Sequence, residues 1–234
     1  MTEQSELIKQ AEHFVKEVLS GEASGHDWWH IERVRNTALE IARKEQADVV
    51  VCELAALLHD VADEKLNDSK EAGLEKVRIW LRGHTADSGL IDHVMEIIST
   101  MSYNGGRNPP LKTLEGQVVQ DADRLDALGA IGIARTFAYS GAKGRIIHDP
   151  ELSHEMLALE DYRSNNKTAI YHFYEKLLKL KDLMNTPYAR ELAEQRHAFM
   201  ELFLQQFYSE WTMREQRASN EKMMTEWFGN RDHK

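Results

Sequence analysis

Gln120-Asp121-Ala122-Asp123-Arg124-Leu125-Asp126-Ala127-Leu128-Gly129-Ala130-Ile131-Gly132 sets three aspartates within six residues, directly after the apolar pair Val118-Val119. An acidic helix start, favoured by the positive end of the helix dipole, accounts for one such carboxylate. Three of them at the edge of a hydrophobic run need partners, because burying charge alone is costly. The small residues Ala127, Gly129, Ala130 and Gly132 predict close approach of another helix. The stretch therefore reads as helical packing around a set of carboxylates.

The sequence on either side is helical in pattern too. Only 4 of 234 residues are proline, which suits long uninterrupted helices. Leu7, Ala11, Val15, Val18 and Leu19 step by three and four, and so do Val34, Ala38, Ile41 and Ala42. Leu54, Ala55, Leu57 and Leu58 form a denser run that reads as a buried helix, and Leu74, Val77, Leu81 and then Ile91, Val94, Met95, Ile98 continue the period. No stretch alternates apolar and polar residues long enough for a strand. The predicted fold class is all-α, a helical bundle. Two breaks, Asn104 to Pro110 and Ser140 to Pro150, are too short for interdomain linkers, so residues 1–234 read as one domain. Two long helices are expected after residue 165, Thr168 to Asn185 and Pro187 to about Arg217, with Thr186 as a cap before Pro187.

Composition excludes several classes. Charged residues are 29% and hydrophobic residues 42%, the balance of a soluble globular protein. A net charge of −10 disfavours nucleic-acid polymers and anionic membranes as partners. No window holds the roughly 18 apolar residues of a membrane helix. The start, MTEQSELIKQ, lacks a secretory pattern. The single cysteine, Cys52, rules out an intrachain disulfide and a thiolate zinc cluster, fits a reducing cytoplasm, and is expected to be inert packing.

His-Asp pairs occur at 26–27, 59–60 and 148–149. The pair at 148–149 reads as a turn before Pro150. His59-Asp60 ends the apolar run, so it is either a hydrogen-bonded helix end or two metal ligands at the core's edge. In Gly25-His26-Asp27-Trp28-Trp29-His30-Ile31-Glu32-Arg33, His26 and Asp27 can cap a helix. His30 and Arg33 share a face there, as a metal ligand beside a phosphate-binding guanidinium would. Asp63 follows His59 by four, within reach of a proton on an attacking water if the helix persists, and Lys65 can neutralise phosphate charge. Both also fit an ordinary solvated charge run. In the 172–186 segment, Ile170, Phe173, Leu177, Leu180 and Met184 form a core stripe, while His172, Lys176 and Lys179 form a separate one able to bind polyphosphate.

Taken together, His30 with Arg33-Val34, His59-Asp60 and Ala122-Asp123-Arg124-Leu125 resemble the HD-domain metal-dependent phosphohydrolase superfamily. DADRLDALGAIGIARTF (121–137) and HFYEKLLKLKDLMNT (172–186) resemble its bacterial YpgQ/YedJ-like branch. The resemblance covers about residues 20 to 210. It implies an HD-type bundle with a metal site between helices, and metal ligands His30, His59, Asp60 and Asp123. Asp123 is preferred over Asp121 for its Ala-Asp-Arg-Leu setting. Two imidazoles and two carboxylates suit one divalent ion, Mn²⁺ first, with Mg²⁺, Co²⁺, Fe²⁺, Zn²⁺ or Ni²⁺ as other candidates. Some relatives add histidines and a second metal; here Met101 stands where they carry one, and His93 lies earlier.

The expected activity is hydrolysis of a nucleotide, a (deoxy)nucleoside triphosphate cut to monophosphate and pyrophosphate. The near alternative is a nucleoside 5′-monophosphatase or another phosphoesterase. In this reading Asp63, Lys65 and Arg33 are catalytic, and His172, Lys176 and Arg124 contact substrate, with Arg135 a weaker candidate. A metal- and nucleotide-binding module without turnover, and a diiron oxygenase, are the competing classes. Trp211 and Trp227 are candidate surfaces for a homodimer.

Overall fold

In the computed structural model, which describes residues 3–20, 27–63, 66–102, 111–150 and 168–211, each apolar stripe up to residue 98 becomes the inner face of a helix. Helix α1 (Glu3–Val18) buries Leu7, Ala11 and Val15. Helix α2 (Trp28–Glu45) buries Val34, Ala38, Ile41 and Ala42, and Asp27 caps it by accepting from the His30 N–H. Helix α3 (Val49–Leu58) buries Cys52 and Leu54–Leu58 and packs against α1 and α2 and two later helices. It is apolar nearly all round because it sits in the middle of the bundle. A tight 3-10 turn, His59–Ala62, continues it.

Helices α4 (Lys70–His84), α5 (Ser88–Thr100), α6 (Leu114–Asp126) and α7 (Gly129–Ala142) follow. Ser69, Asp87 and Thr113 cap the first three of these through their side chains. Helices α8 (Ala169–Glu175) and α9 (Pro187–Trp211) complete the described chain. Among the described residues there is no strand, and no helix is long and apolar enough to cross a membrane. Helix α2 lies along both α3 and α6. That packing brings the first turn of α2, the end of α3 and the last turns of α6 to one place.

The expected helix from Thr168 to Asn185 is broken. Thr168 caps α8, which stops at Glu175, where Lys176 (φ −129°, ψ −59°) leaves the helical region. Two 3-10 turns, Leu177–Lys179 and Lys181–Leu183, carry the chain onward. Leu177, Leu180 and Met184 are still buried, so the apolar stripe holds while the expected helical backbone does not. His172, Lys176 and Lys179 consequently do not share one helical face. No proline or glycine marks this break.

Of the glycines after α6, Gly129 meets the expectation of close approach by another helix and Gly132 does not. Gly129 has φ +68°, and an added Cβ would lie 3.2 Å from Arg196 of α9. At Gly132 a Cβ would meet the carbonyl of Ala127, in the turn leading into its own helix, and not another helix. Lys65, the stretch from Asn104 to Pro110 expected as a loop, the expected helical continuation from Trp211 to Arg217, and Trp227 lie outside the described residues.

Candidate metal centre

His30, His59 and Asp60 form the metal site, held between α2, the end of α3 and α6. The ring nitrogens facing away from it are already used. His59 Nδ1 donates to the Ala56 carbonyl at 2.8 Å, and His30 Nδ1 donates to Asp126 Oδ2 at 2.7 Å. Each imidazole therefore turns Nε2 inward. His30 Nε2 lies 3.4 Å from Asp60 Oδ2 and 3.4 Å from Asp123 Oδ1. His59 Nε2 lies 3.3 Å from Asp60 Oδ1 and 4.0 Å from Asp123 Oδ1.

The three shorter spacings suit a divalent cation, while the 4.0 Å spacing of His59 and Asp123 is wider than such an edge. Donor atoms each about 2.1 Å from one ion lie about 3.0–3.4 Å apart across an octahedral or tetrahedral edge. The chemistry agrees: His59 Nε2 is buried and makes no hydrogen bond, and a lone pair aimed at two carboxylates needs positive charge between them. The carboxylates make the same demand on His30. Burial would lower its basicity, but hydrogen bonds to Asp123 and Asp126 and the charge of Asp60 outweigh this and lift it to about 9. Asp123 lines the pocket beside His30 and His59. Burial would raise its carboxyl, yet the His30 hydrogen bond and the two histidines hold it below the usual range.

A pocket of about 340 Å³ opens from this cluster. Asp63 stands on its wall, but not as the expected next turn of a helix. The 3-10 turn ends at Ala62, and Asp63 is extended (φ −64°, ψ 135°). Asn67 Nδ2 fixes that turn by donating to the carbonyls of Val61 and Asp63, each at 2.8 Å. Arg124, Arg135 and Lys176 supply positive charge around the pocket, while Ile98, Met101, Ala127 and Leu180 give it an apolar side.

The HD domain family matches residues 28–128, from the first turn of α2 to just past α6. The uncharacterized protein YpgQ of Bacillus subtilis (strain 168) is 44% identical over 205 residues, covering 85% of this chain and 92% of its own. The chain belongs to the HD domain family. An HD-superfamily hydrolase from Bacillus thuringiensis has a solved structure similar to it, at 48% identity and TM-score 0.73, covering 89% of this chain and 98% of that one. A crystal structure of B. subtilis YpgQ in complex with ADP aligns at 39% identity and TM-score 0.72, covering 89% and 97%. The HD match contains all four expected ligands.

The HD site draws on residues to which the sequence reading gave no role. Asp126 is 4% exposed and binds His30. It also binds Arg33 through Nε at 2.6 Å and a terminal nitrogen at 3.0 Å, and Arg135 at 2.6 Å. Burial would raise its carboxyl, but His30 and the arginines hold it far below the usual range. The three-residue spacing of His30 and Arg33 thus places both on a shared partner, Asp126. Arg33 does not line the pocket. Asp126 was in view as the third aspartate of the opening stretch, one helical turn from Asp123.

Among the expected substrate contacts, Lys176 lines the pocket. Arg124 does too, while also donating to the Leu183 carbonyl. His172 does not line it; its Nδ1 lies 3.6 Å from Glu175. His93, weighed for a second metal, faces Glu115 at 3.5 Å and is likewise not on the pocket wall.

Proposed function

We propose that this metal-dependent phosphohydrolase cleaves the α–β anhydride of a (deoxy)nucleoside triphosphate, with one divalent ion, Mn²⁺ favoured, held by His30, His59, Asp60 and Asp123. The observation that carries the reading is the inward pair of Nε2 atoms facing two carboxylates, at the foot of a pocket rimmed by Arg124, Arg135 and Lys176. When bound, the ion supplies Lewis-acid polarisation of a phosphoryl oxygen and lowers the pKa of water. The complex of B. subtilis YpgQ with ADP supports a nucleotide ligand.

The chain's own groups then have these tasks. Asp63 accepts a proton from the attacking water as its oxygen bonds to the α-phosphorus. The α–β P–O bond breaks, and pyrophosphate leaves with the bonding electrons. Arg135 and Lys176 hold the phosphate oxygens and stabilise their growing charge. Ile98, Met101 and Leu180 pack against the nucleoside and exclude water. The local cations and the ion offset the net charge of −10, which otherwise repels a polyphosphate.

The test is a panel of nucleoside mono-, di- and triphosphates with Mn²⁺, assayed for both orthophosphate and pyrophosphate. Pyrophosphate from triphosphates is expected. Orthophosphate alone, from monophosphates, replaces this reading with a phosphomonoesterase. Full activity in Asp60→Ala or Asp123→Ala disproves the ligand set.

A further inference from the structure

The Asp126 carboxylate accepts four N–H groups from three side chains: His30 Nδ1, two nitrogens of Arg33, and one of Arg135. Three of the four converge on Oδ2. A carboxylate offers about four acceptor sites, so this one is filled. It joins α6, which carries Asp126, to α2, which carries His30 and Arg33, and to α7, which carries Arg135. Asp126 does not line the pocket, whereas His30 and Arg135 both do.

We infer that Asp126 is a positioning residue, clamped by Arg33, that sets the Nε2 lone pair of His30 toward the metal and fixes the Arg135 guanidinium at the pocket wall. The inference rests on the metal-centre reading above. Its logic is one of donors and acceptors. An ionised carboxylate can only accept, so His30 Nδ1 must carry a proton, which leaves Nε2 as the nitrogen whose lone pair can go to the ion. Arg33 meets the carboxylate side-on through two nitrogens, a geometry that fixes the carboxylate plane as well as its charge. Asn at 126 keeps the shape but breaks the logic. Its NH₂ group must face either the arginines, which are donors, or His30, whose Nδ1 would then have to accept and turn its Nε2–H toward the ion.

The experiment titrates Mn²⁺ alone into the full chain by calorimetry, for wild type, Asp126→Asn, Arg33→Gln and His59→Ala, with circular dichroism to confirm folding. Asp126→Asn is expected to bind Mn²⁺ about 10–100-fold more weakly than wild type, the usual cost of losing an outer-shell partner. Asp126→Glu, which keeps the carboxylate, should recover part of that loss. Arg33→Gln should weaken Mn²⁺ binding in the same direction. Folded Asp126→Asn with wild-type Mn²⁺ affinity overturns the inference. So does an Arg33→Gln variant that raises substrate KM at saturating Mn²⁺ while Mn²⁺ affinity is unchanged, since Arg33 would then contact substrate.

If Asp126→Asn fails to fold, nitrogen–proton correlation spectra of wild type loaded with Zn²⁺ decide. A proton on His30 Nδ1 is expected, and its absence overturns the inference. Failure of the metal reading looks different: wild type takes up no Mn²⁺, or His59→Ala binds it as wild type does.

Discussion

Asp121 Oδ2 accepts both the backbone N–H and the hydroxyl of Thr186, each at 2.8 Å, across 65 positions of sequence. The same carboxylate takes the backbone N–H of Asn185 at 2.9 Å and its side-chain amide at 2.8 Å. Asp121 thus ties the entry of α9 to α6, two residues before Asp123. Thr186, expected to cap α9 itself, here donates its hydroxyl to Asp121. Burial pushes the Asp121 carboxyl up, and the Asn185 and Thr186 donors oppose that. Asp121→Ala takes this acceptor from the backbone N–H of Asn185 and from the N–H and hydroxyl of buried Thr186, at about 1–3 kcal/mol for each buried donor left unpaired, while the Asn185 side-chain amide keeps Gln120 Oε1. The expected result is a loss of about 3 kcal/mol or more in denaturant unfolding, by the same accounting. Asp121→Asn, which keeps one acceptor oxygen, should lose less. Loss of Mn²⁺ from a fully stable Asp121→Asn would instead make Asp121 a ligand.

The helices were legible because each apolar stripe recurs at three and four residues, and the cap candidate Asp27 stands where α2 begins. His59-Asp60 stands out locally because it closes an apolar run, but its ligand role and that of His30 came from the resemblance to the HD superfamily, since a hydrogen-bonded helix end fits the same local pattern. What could not be read was sharing between distant residues. His30 and Arg33 showed their common face, but nothing in α2 announces that both bind a carboxylate more than ninety positions away. The three aspartates of the opening stretch look alike in sequence. Their surroundings separate them: Asp121 anchors α9, Asp123 faces the pocket, and Asp126 braces His30 and two arginines. The break after Glu175 was hidden for a related reason, because Leu177, Leu180 and Met184 keep a helical spacing while the backbone turns.

Asp63→Asn tests the proton acceptor. The amide keeps the size and the hydrogen-bonding reach of the side chain but cannot take a proton. Asp63 is on the pocket wall and is not part of the proposed ligand set. Mn²⁺ affinity should therefore stay near wild type while kcat falls about 10²–10⁴-fold, the usual contribution of a general base. Parallel metal titration and steady-state kinetics check both halves. Loss of metal together with rate would assign Asp63 as a ligand.

Two glycines of α4 give opposite expectations. At Gly73 a Cβ would lie 2.6 Å from the Ala62 carbonyl and 2.8 Å from Asn67 Nδ2. The first is backbone and cannot swing away, so Gly73→Ala must displace the turn that carries His59, Asp60 and Asp63. A destabilisation of about 1–3 kcal/mol is expected, with weaker Mn²⁺ binding and a lower kcat. At Gly83 nothing lies within 4 Å of the added Cβ. Gly83→Ala should stabilise the chain by about 0.5–1 kcal/mol through helix propensity and leave kinetics unchanged. Thermal melts and kinetics on the pair separate pressure on the turn from the general effect of losing a glycine.

Cys52 is fully buried. Burial first, and then the charges of Glu115 and Asp48, push its thiol from 9.0 up to about 12. The folded state therefore holds this proton more tightly than the unfolded chain. Its contribution to stability is fully present below about pH 9 and is lost as pH rises from there toward 12. One proton corresponds to a slope of about 1.4 kcal/mol per pH unit. Between pH 9 and 11 the wild type should lose stability more steeply than Cys52→Ala by up to that slope; lysines and tyrosines titrate in both proteins and cancel in the difference. The same burial predicts that iodoacetamide leaves native Cys52 unmodified at pH 8 and alkylates it once the chain is unfolded in guanidinium. Parallel alkaline stability curves, or rapid alkylation of the native protein, would show that Cys52 is not held as a buried neutral thiol.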